Sequence, residues 1–421
     1  MQDAFPDTAE VRDGEFWLGG ARATDLAAEY GTPVVVYCEQ TLLACARSYV
    51  EAAPPGTLVA YSVKAFPNLA LVRLLAGEGL GADVSTLGEL AYALNAGVAA
   101  DRIVVHGNNK SDEELRAAGE AGAGLVVVDA LDDVPRAAEA SVERVLVRVT
   151  PGIDVDTHPA IETGHSGSKF GLPPEQALTA VAAARETGLE VLGLHLHLGS
   201  QLLDVGAPRM GVDWLAGFAA ECRAELDWTP AVVDLGGGLG IPYLARERAP
   251  SIDGFVGALA DRVARAWDLH GLPAPRLVLE PGRSLVGRAG VTLYEVGVVK
   301  RASESATYVS IDGGMSDNPR PQLYGARHDA VVAGRADAEP DGDYTVCGKH
   351  CESGDVLIER AALPEPRRGD VLAVPATGAY TLGMGSNYNG VPRPAAVLVS
   401  EGEARLIRRR ETVDDLLALE V

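Results

Sequence analysis

The chain has 421 residues, 47% of them hydrophobic, which is enough for two domains with sizeable cores. A formal net charge of -23 argues against nucleic acid or an anionic membrane surface as partner, but not against a small anion held in a local basic pocket. Five cysteines (Cys38, Cys45, Cys222, Cys347, Cys351), odd in number and without C-x-x-C spacing, read as free thiols in a reducing compartment. With an acidic start that lacks an apolar core and no run of membrane-spanning length, the expectation is a soluble cytoplasmic protein.

In chain order, Glu15–Leu18 is a short β-like piece, followed by a Gly-Gly turn and an Ala-rich helix. Val34–Tyr37 is a further strand candidate. From about residue 57 short apolar runs alternate with Ala/Leu/Glu-rich helical stretches, the pattern of buried parallel strands joined by helices. The strand candidates are 57–63, 80–84, 103–106, 125–128, 145–149, 191–197, 231–235 and 276–280. A capping signal, Ser111-Asp112-Glu113-Glu114, opens a helix over 111–121. Eight such units predict a (β/α)8 TIM barrel, with a doubly wound sheet as the structural rival. After about residue 291 the runs 291–296, 308–311, 371–374 and 396–399 are short strands with Gly/Pro turns. The fold class is therefore α/β plus all-β: a barrel over 36–290, and a β-barrel or sandwich domain from 1–35 and 291–421.

Barrel chemistry collects at the carboxyl ends of strands. Lys64 ends the run Leu58–Val63 in a chain with only five lysines, so amine chemistry that a guanidinium cannot perform is one reading. A lysine that simply meets solvent is the other. Asp83 ends the second strand, His106 the third, and Arg148 lies in the fifth. His195 and His197, two apart, fall on one face of the sixth, as metal ligands, a structural pair, or one ring stacked on a flat ligand. No carboxylate pattern supports a metal, and none is expected. The seventh strand ends in Asp234-Leu235-Gly236-Gly237-Gly238, glycines that let backbone N–H groups approach an anion. The eighth ends in Glu280-Pro281-Gly282-Arg283, where a carboxylate can hold a heteroaromatic nitrogen protonated and a guanidinium can take a carboxylate. An amine, an anion cradle, a flat ring and that carboxylate together describe a pyridoxal phosphate site.

These motifs resemble the diaminopimelate decarboxylases, of the alanine-racemase-like class of pyridoxal phosphate enzymes and the class-II Orn/Lys/Arg decarboxylases. The resemblance runs from about residue 30 to 415, through Tyr61–Ala65, His106–Ser111, Thr163-Gly164, Ser168–Gly171, Gly193–Ser200, Asp234–Gly240, Glu280–Arg283, Asp312–Met315, Arg320-Pro321, Leu323–Ala326, Gly348–Asp355 and Gly378–Tyr380. It implies that Lys64 carries the cofactor and Asp83 supports it. It implies that His197 stacks on the ring, that Ser200, Gly236, Gly237, Gly238 and Tyr380 hold the phosphate, and that Glu280, with Pro281 and Gly282, meets the ring nitrogen. Arg283, Arg320 and Tyr324, with Tyr380, would bind substrate. Cys351 as proton donor and Glu352 as reader of the distal amino group would come from the partner of a homodimer with shared active sites. Phe66 and Thr150 stand where the family usually has Asn, at positions without a catalytic role.

The activity implied is decarboxylation of meso-2,6-diaminopimelate to L-lysine and CO2, the last step of lysine biosynthesis. The rivals are a decarboxylase of another amino acid, a racemase of the same fold, a non-catalytic cofactor carrier, and a metal-dependent barrel hydrolase. Lys110 and Lys169 are expected to be loop or capping residues. His158, His165, His270 and His328 join no constellation.

Overall fold

A computed structural model describes residues 3–152, 167–303 and 306–421. Thr163 and Gly164 of the family motif, with His158 and His165, lie outside the described residues. The chain divides into two compact units: Cys45–Gly240 with Ala249–Ser284, and the segments up to Ala44, Ile241–Arg248 and Leu285–Val421.

The first unit is a closed parallel barrel. Its strands are β1 (Leu58–Ser62), β2 (Gly81–Val84), β3 (Ile103–Val105), β4 (Leu125–Val128), β5 (Arg144–Arg148), β6 (Glu190–His195), β7 (Val232–Asp234) and β8 (Arg276–Leu279). Each pairs in parallel with the next, and β8 returns to β1 through Val278 opposite Leu58, which closes the ring. Alternate side chains fill the interior: Leu58, Ala60, Val104, Leu125, Val127, Leu146, Val232 and Val278 form one buried cluster. All eight strands lie within a residue or two of the sequence expectation. The helix Asp112–Ala121 opens with the expected capping box: Ser111 Oγ accepts from Glu114 N, and Ser111 N donates to Glu114 Oε2.

The strand β6 ends at His195 rather than at residue 197. His197 therefore lies past the strand, and the two histidines do not share a strand face.

The second unit contains a nine-stranded mixed sheet and a three-stranded antiparallel one. The long strand Gly290–Ser303 is the hub. It pairs antiparallel with Val34–Cys38 and Val371–Val374 through its first half, and with Ala306–Ile311 through its second. Val34–Cys38 also runs parallel to Ala395–Ser400. Its Val34, Val36 and Cys38 join Val291, Leu293, Val397 and Val399 in one apolar core. A second core gathers Tyr294, Val296, Val309, Ile311, Val346 and Leu372. Three segments inside the span 36–290 fold with this unit: 36–44, 285–290 and Ile241–Arg248. In the last, Ala245 N donates to Asp329 Oδ2 and Tyr243 meets the His328 ring edge-on. Among the described residues no helix is long and apolar enough to cross a membrane.

Candidate active site

Lys64 sits in a single 3-10 turn, Val63–Ala65, just past the carboxyl end of β1. Its side chain is 48% exposed, and its Nζ lies 3.0 Å from Oδ2 of Asp83, which is fully buried at the end of β2. Ser62 Oγ donates to the same oxygen. A strand-end lysine that merely meets solvent needs no buried partner. This one is half-exposed, and its amine is held by a buried carboxylate.

The eighth strand delivers Glu280 into a buried cluster. Its Oε1 is 2.5 Å from His106 Nε2, on the loop after β3, and its Oε2 is 3.5 Å from His195 Nε2 at the end of β6. The two imidazoles meet edge to face at 4.8 Å. Asp234, at the end of β7, accepts from Gly236 N at 2.8 Å. Burial alone would raise the Glu280 carboxyl, but the charge and hydrogen bond of His106, with a lesser contribution from the nearby His195, outweigh it and hold Glu280 well below the usual range. Burial and the neighbouring Glu280 push Asp234 well above its ordinary value. Burial brings His195 down to about 4, leaving that ring neutral.

His106, His195, Asp234 and Glu280 each offer a ligand atom, and all four atoms lie within 4.8 Å of one another. The sequence did not show this grouping. His106 Nε2 and Glu280 Oε1, 2.5 Å apart, are in hydrogen-bond contact. Two ligands at about 2.0–2.2 Å from one zinc in tetrahedral array would stand well beyond 3 Å apart.

The remaining predicted groups of this unit gather nearby. The Gly236–Gly238 turn packs against the chain around His197: Gly237 N donates to His197 Nδ1 at 3.3 Å. A Cβ on Gly236, where φ is +62°, would lie 2.5 Å from that same nitrogen, and one on Gly237 would lie 2.3 Å from Glu280 O. Burial pushes the His197 ring well below its ordinary value, so it is neutral. Arg283 is buried, and its Nη2 donates to Ser200 Oγ at 2.9 Å. The guanidinium expected at a substrate carboxylate is thus tied to the hydroxyl expected at a phosphate. Pro281 and Gly282 are buried, and Pro281 O accepts from Ser62 N. This joins the Glu280 turn to the strand that carries Lys64.

In the second unit, Arg320 is buried at the start of the short helix Arg320–Tyr324, its guanidinium 5.0 Å from the Tyr243 ring centre and 5.4 Å from that of Tyr324. Cys351 and Glu352 are exposed. Cys351 N donates to Asn389 Oδ1 at 2.8 Å, and Gly354 N donates to Glu352 Oε1 at 3.1 Å. The adjacent His350 is held by Asp355 at 2.6 Å and stacks on Tyr388. Tyr380 takes φ +57°, a backbone strain unusual for a bulky residue and common at functional sites.

Residues 40–287 match the family model described as pyridoxal-dependent decarboxylase, pyridoxal binding domain. Diaminopimelate decarboxylase of Actinosynnema pretiosum subsp. auranticum is 44% identical over 99% of this chain and 95% of its own. The enzyme of Mycobacterium tuberculosis (strain ATCC 25618 / H37Rv) is 44% identical over 99% and 97%. The chain belongs to the diaminopimelate decarboxylase family. The crystal structure of the M. jannaschii member in complex with L-lysine superposes with a TM-score of 0.91 at 36% identity, covering 99% of this chain and 98% of that one. Pyridoxal phosphate is the cofactor of this family, and the barrel residues fit it. They provide a half-exposed amine held by a carboxylate, an anionic buried carboxylate, a neutral imidazole, and a glycine turn too close-packed for any Cβ.

The sequence reading placed His106, His195 and Asp234 at strand ends but gave none of them a role in the cofactor or substrate site. Their signal was position. Each stands at the carboxyl end of a predicted barrel strand, where polar residues are otherwise scarce.

Proposed function

We propose that this protein removes CO2 from meso-2,6-diaminopimelate to give L-lysine, the closing step of lysine biosynthesis. The observation that carries the reading is the full-length match, at 44% identity over 99% of the chain, to diaminopimelate decarboxylases. The L-lysine complex of a relative at TM-score 0.91 supports the product side.

Bound pyridoxal phosphate supplies an electron sink for the carbon that loses its carboxylate. The chain's own groups do the rest. Lys64 holds the cofactor through its amine, and Asp83 keeps that amine in place between turnovers. Glu280, anionic in its buried setting, holds a proton on the ring nitrogen and so deepens the sink. His197 offers a flat neutral face to the ring. Ser200, the Gly236–Gly238 turn and Tyr380 hold the phosphate, and Arg283, bonded to Ser200, stands at that end. Arg320, Tyr324 and Tyr380 take substrate carboxylate, and Glu352 takes the distal ammonium. Such charge-assisted contacts answer a far end that carries both charges. Cys351 returns a proton to the carbon once CO2 has left.

The working assembly is a cytoplasmic homodimer, with the barrel to about residue 290 binding cofactor. The β domain (1–35 and 291–421) forms the dimer interface and supplies substrate contacts, Cys351 and Glu352 being given to the partner's barrel. The exposure of both residues supports this. The His106–Glu280 cluster works through its hydrogen bond, without a metal.

The test is CO2 release and lysine formation from meso-diaminopimelate with added pyridoxal phosphate, run beside Lys64→Ala. Turnover that vanishes in the variant supports the reading. A protein that binds the cofactor and leaves diaminopimelate untouched contradicts it.

A further inference from the structure

A carboxylate that must meet a ring nitrogen has to be held at one angle, and Glu280 is held by a residue from a strand that is not its neighbour. His106 lies on the loop after β3, three strands around the barrel from β8. Its Nε2 reaches Glu280 Oε1 at 2.5 Å, with both side chains buried. His106 is itself held at its backbone, where its N–H donates to Val84 O at 2.7 Å.

The loop is locked from below by a buried lysine. Lys110 is 2% exposed, and its Nζ donates to Gly107 O at 2.7 Å, Val127 O at 2.8 Å and Asp133 Oδ2 at 2.8 Å. All three ammonium hydrogens are used, so this lysine has no chemistry left to perform. The same Asp133 oxygen accepts from Asp129 N and Ala130 N, which ties the lock to the loop after β4. Gly107, at φ +130°, lies directly over the lysine stem, where a Cβ would come within 3.0 Å of Lys110 Cγ. The chain of contacts runs from Asp133 through Lys110 and Gly107 to His106, and ends on Glu280.

We propose that His106 is a positioning residue for the cofactor: its ring N–H aims and anchors the Glu280 carboxylate, and Lys110 fixes the turn that carries it. The inference rests on the reading that Glu280 meets the cofactor's ring nitrogen. Burial is the force that His106 must overcome, since an isolated carboxylate there would take up a proton and lose its hold on a protonated ring. A neutral donor at the same place satisfies the oxygen, so glutamine, whose amide nitrogen occupies the Nε2 position, is the conservative replacement.

The experiment compares wild type with His106→Ala, H106Q, Glu280→Ala and the His106→Ala/Glu280→Ala double variant. It reads melting temperature, the pyridoxal phosphate dissociation constant by titration of the cofactor-free protein, the visible absorption band, and kcat and KM separately. Loss of a hydrogen bond to a charged group predicts about a 10- to 100-fold effect. His106→Ala is expected to weaken cofactor binding about tenfold, move the visible band and lower kcat with KM little changed, while H106Q recovers most of each. In the Glu280→Ala background the His106 change should add nothing, because the two act as one unit. Wild-type affinity and an unmoved band in folded His106→Ala would overturn the proposal, as would fully additive losses. If His106→Ala does not fold, H106Q decides: near wild-type affinity and band support a hydrogen-bond role, and an alanine-sized loss relative to Glu280→Ala overturns it. A Glu280→Ala variant with unchanged affinity and band would instead sink the ring-nitrogen reading beneath it.

Discussion

Glu280 is buried among His106, His195 and Asp234, with its charge set by those neighbours, whereas Cys351 and Glu352 stand exposed, Cys351 held by its backbone N–H on Asn389 and Glu352 by its carboxylate on Gly354 N. The difference suits the roles proposed for these residues. A group that holds a ring nitrogen must keep one protonation state and one angle through every turnover, and a dry, hydrogen-bonded cluster gives both. Groups that meet a polar substrate and hand over a proton must be reachable. Preorganisation is therefore expected to make the barrel cluster sensitive to any lost neighbour, and the Cys351 loop sensitive only to loss of the reacting side chains themselves.

Four changes break or sharpen that contrast. Cys351→Ala should lower kcat by about 10²–10⁴ with KM within threefold, the range for a lost proton donor. As an exposed residue it should leave the melting temperature near wild type, and a large melting shift would show that the loop is not merely presented. Lys110→Met, by contrast, removes the ammonium from Asp133, leaving it two backbone N–H donors and Arg136 at 3.8 Å, and should cost about 1.5–3 kcal/mol of stability in urea unfolding. A cost under about 1 kcal/mol would mean that the lock on the His106 loop is slack. Glu352→Gln keeps the shape and removes the charge. It should raise KM for diaminopimelate about tenfold, with kcat little affected, since a contact to a charged group is lost in ground and transition states alike.

The smallest effect concerns pH. Asp317 is buried beside Tyr294, and burial pushes its carboxyl up to about 7. Its contribution to stability is fully present below the unfolded value near 4 and is lost as pH rises towards 7. Asp317→Asn removes that decline. Relative to wild type, the variant should therefore gain melting temperature between pH 5 and pH 8, by a few degrees. A constant difference between the two proteins across that range would show that Asp317 does not titrate as its burial demands.

Much of the barrel was legible because parallel strands buried on both faces are written as unbroken apolar runs such as Leu125–Val128 and Val145–Val147. The helix after Ser111 was legible because its capping box is local. The site was half legible: Lys64, Asp83, Glu280 and the Gly236–Gly238 turn lie at strand ends, where a sequence pattern can place them. What the pattern does not carry is which strand end meets which. The pairing of His106 with Glu280 spans 174 positions, and the role of Lys110 depends on carbonyls from two loops. The nine-stranded sheet was hidden for the same reason. Val34–Cys38 finds Ala395–Ser400 across the whole chain, and no local signal specifies a parallel partner that far away.

The central claim is the substrate. Holoenzyme incubated with equal concentrations of meso-diaminopimelate, L-lysine, L-ornithine and L-arginine, with products identified by mass spectrometry, measures relative kcat/KM for all four at once. The account predicts that diaminopimelate is consumed and L-lysine accumulates, with no decarboxylation of lysine, ornithine or arginine. Formation of cadaverine, putrescine or agmatine while diaminopimelate persists would contradict it.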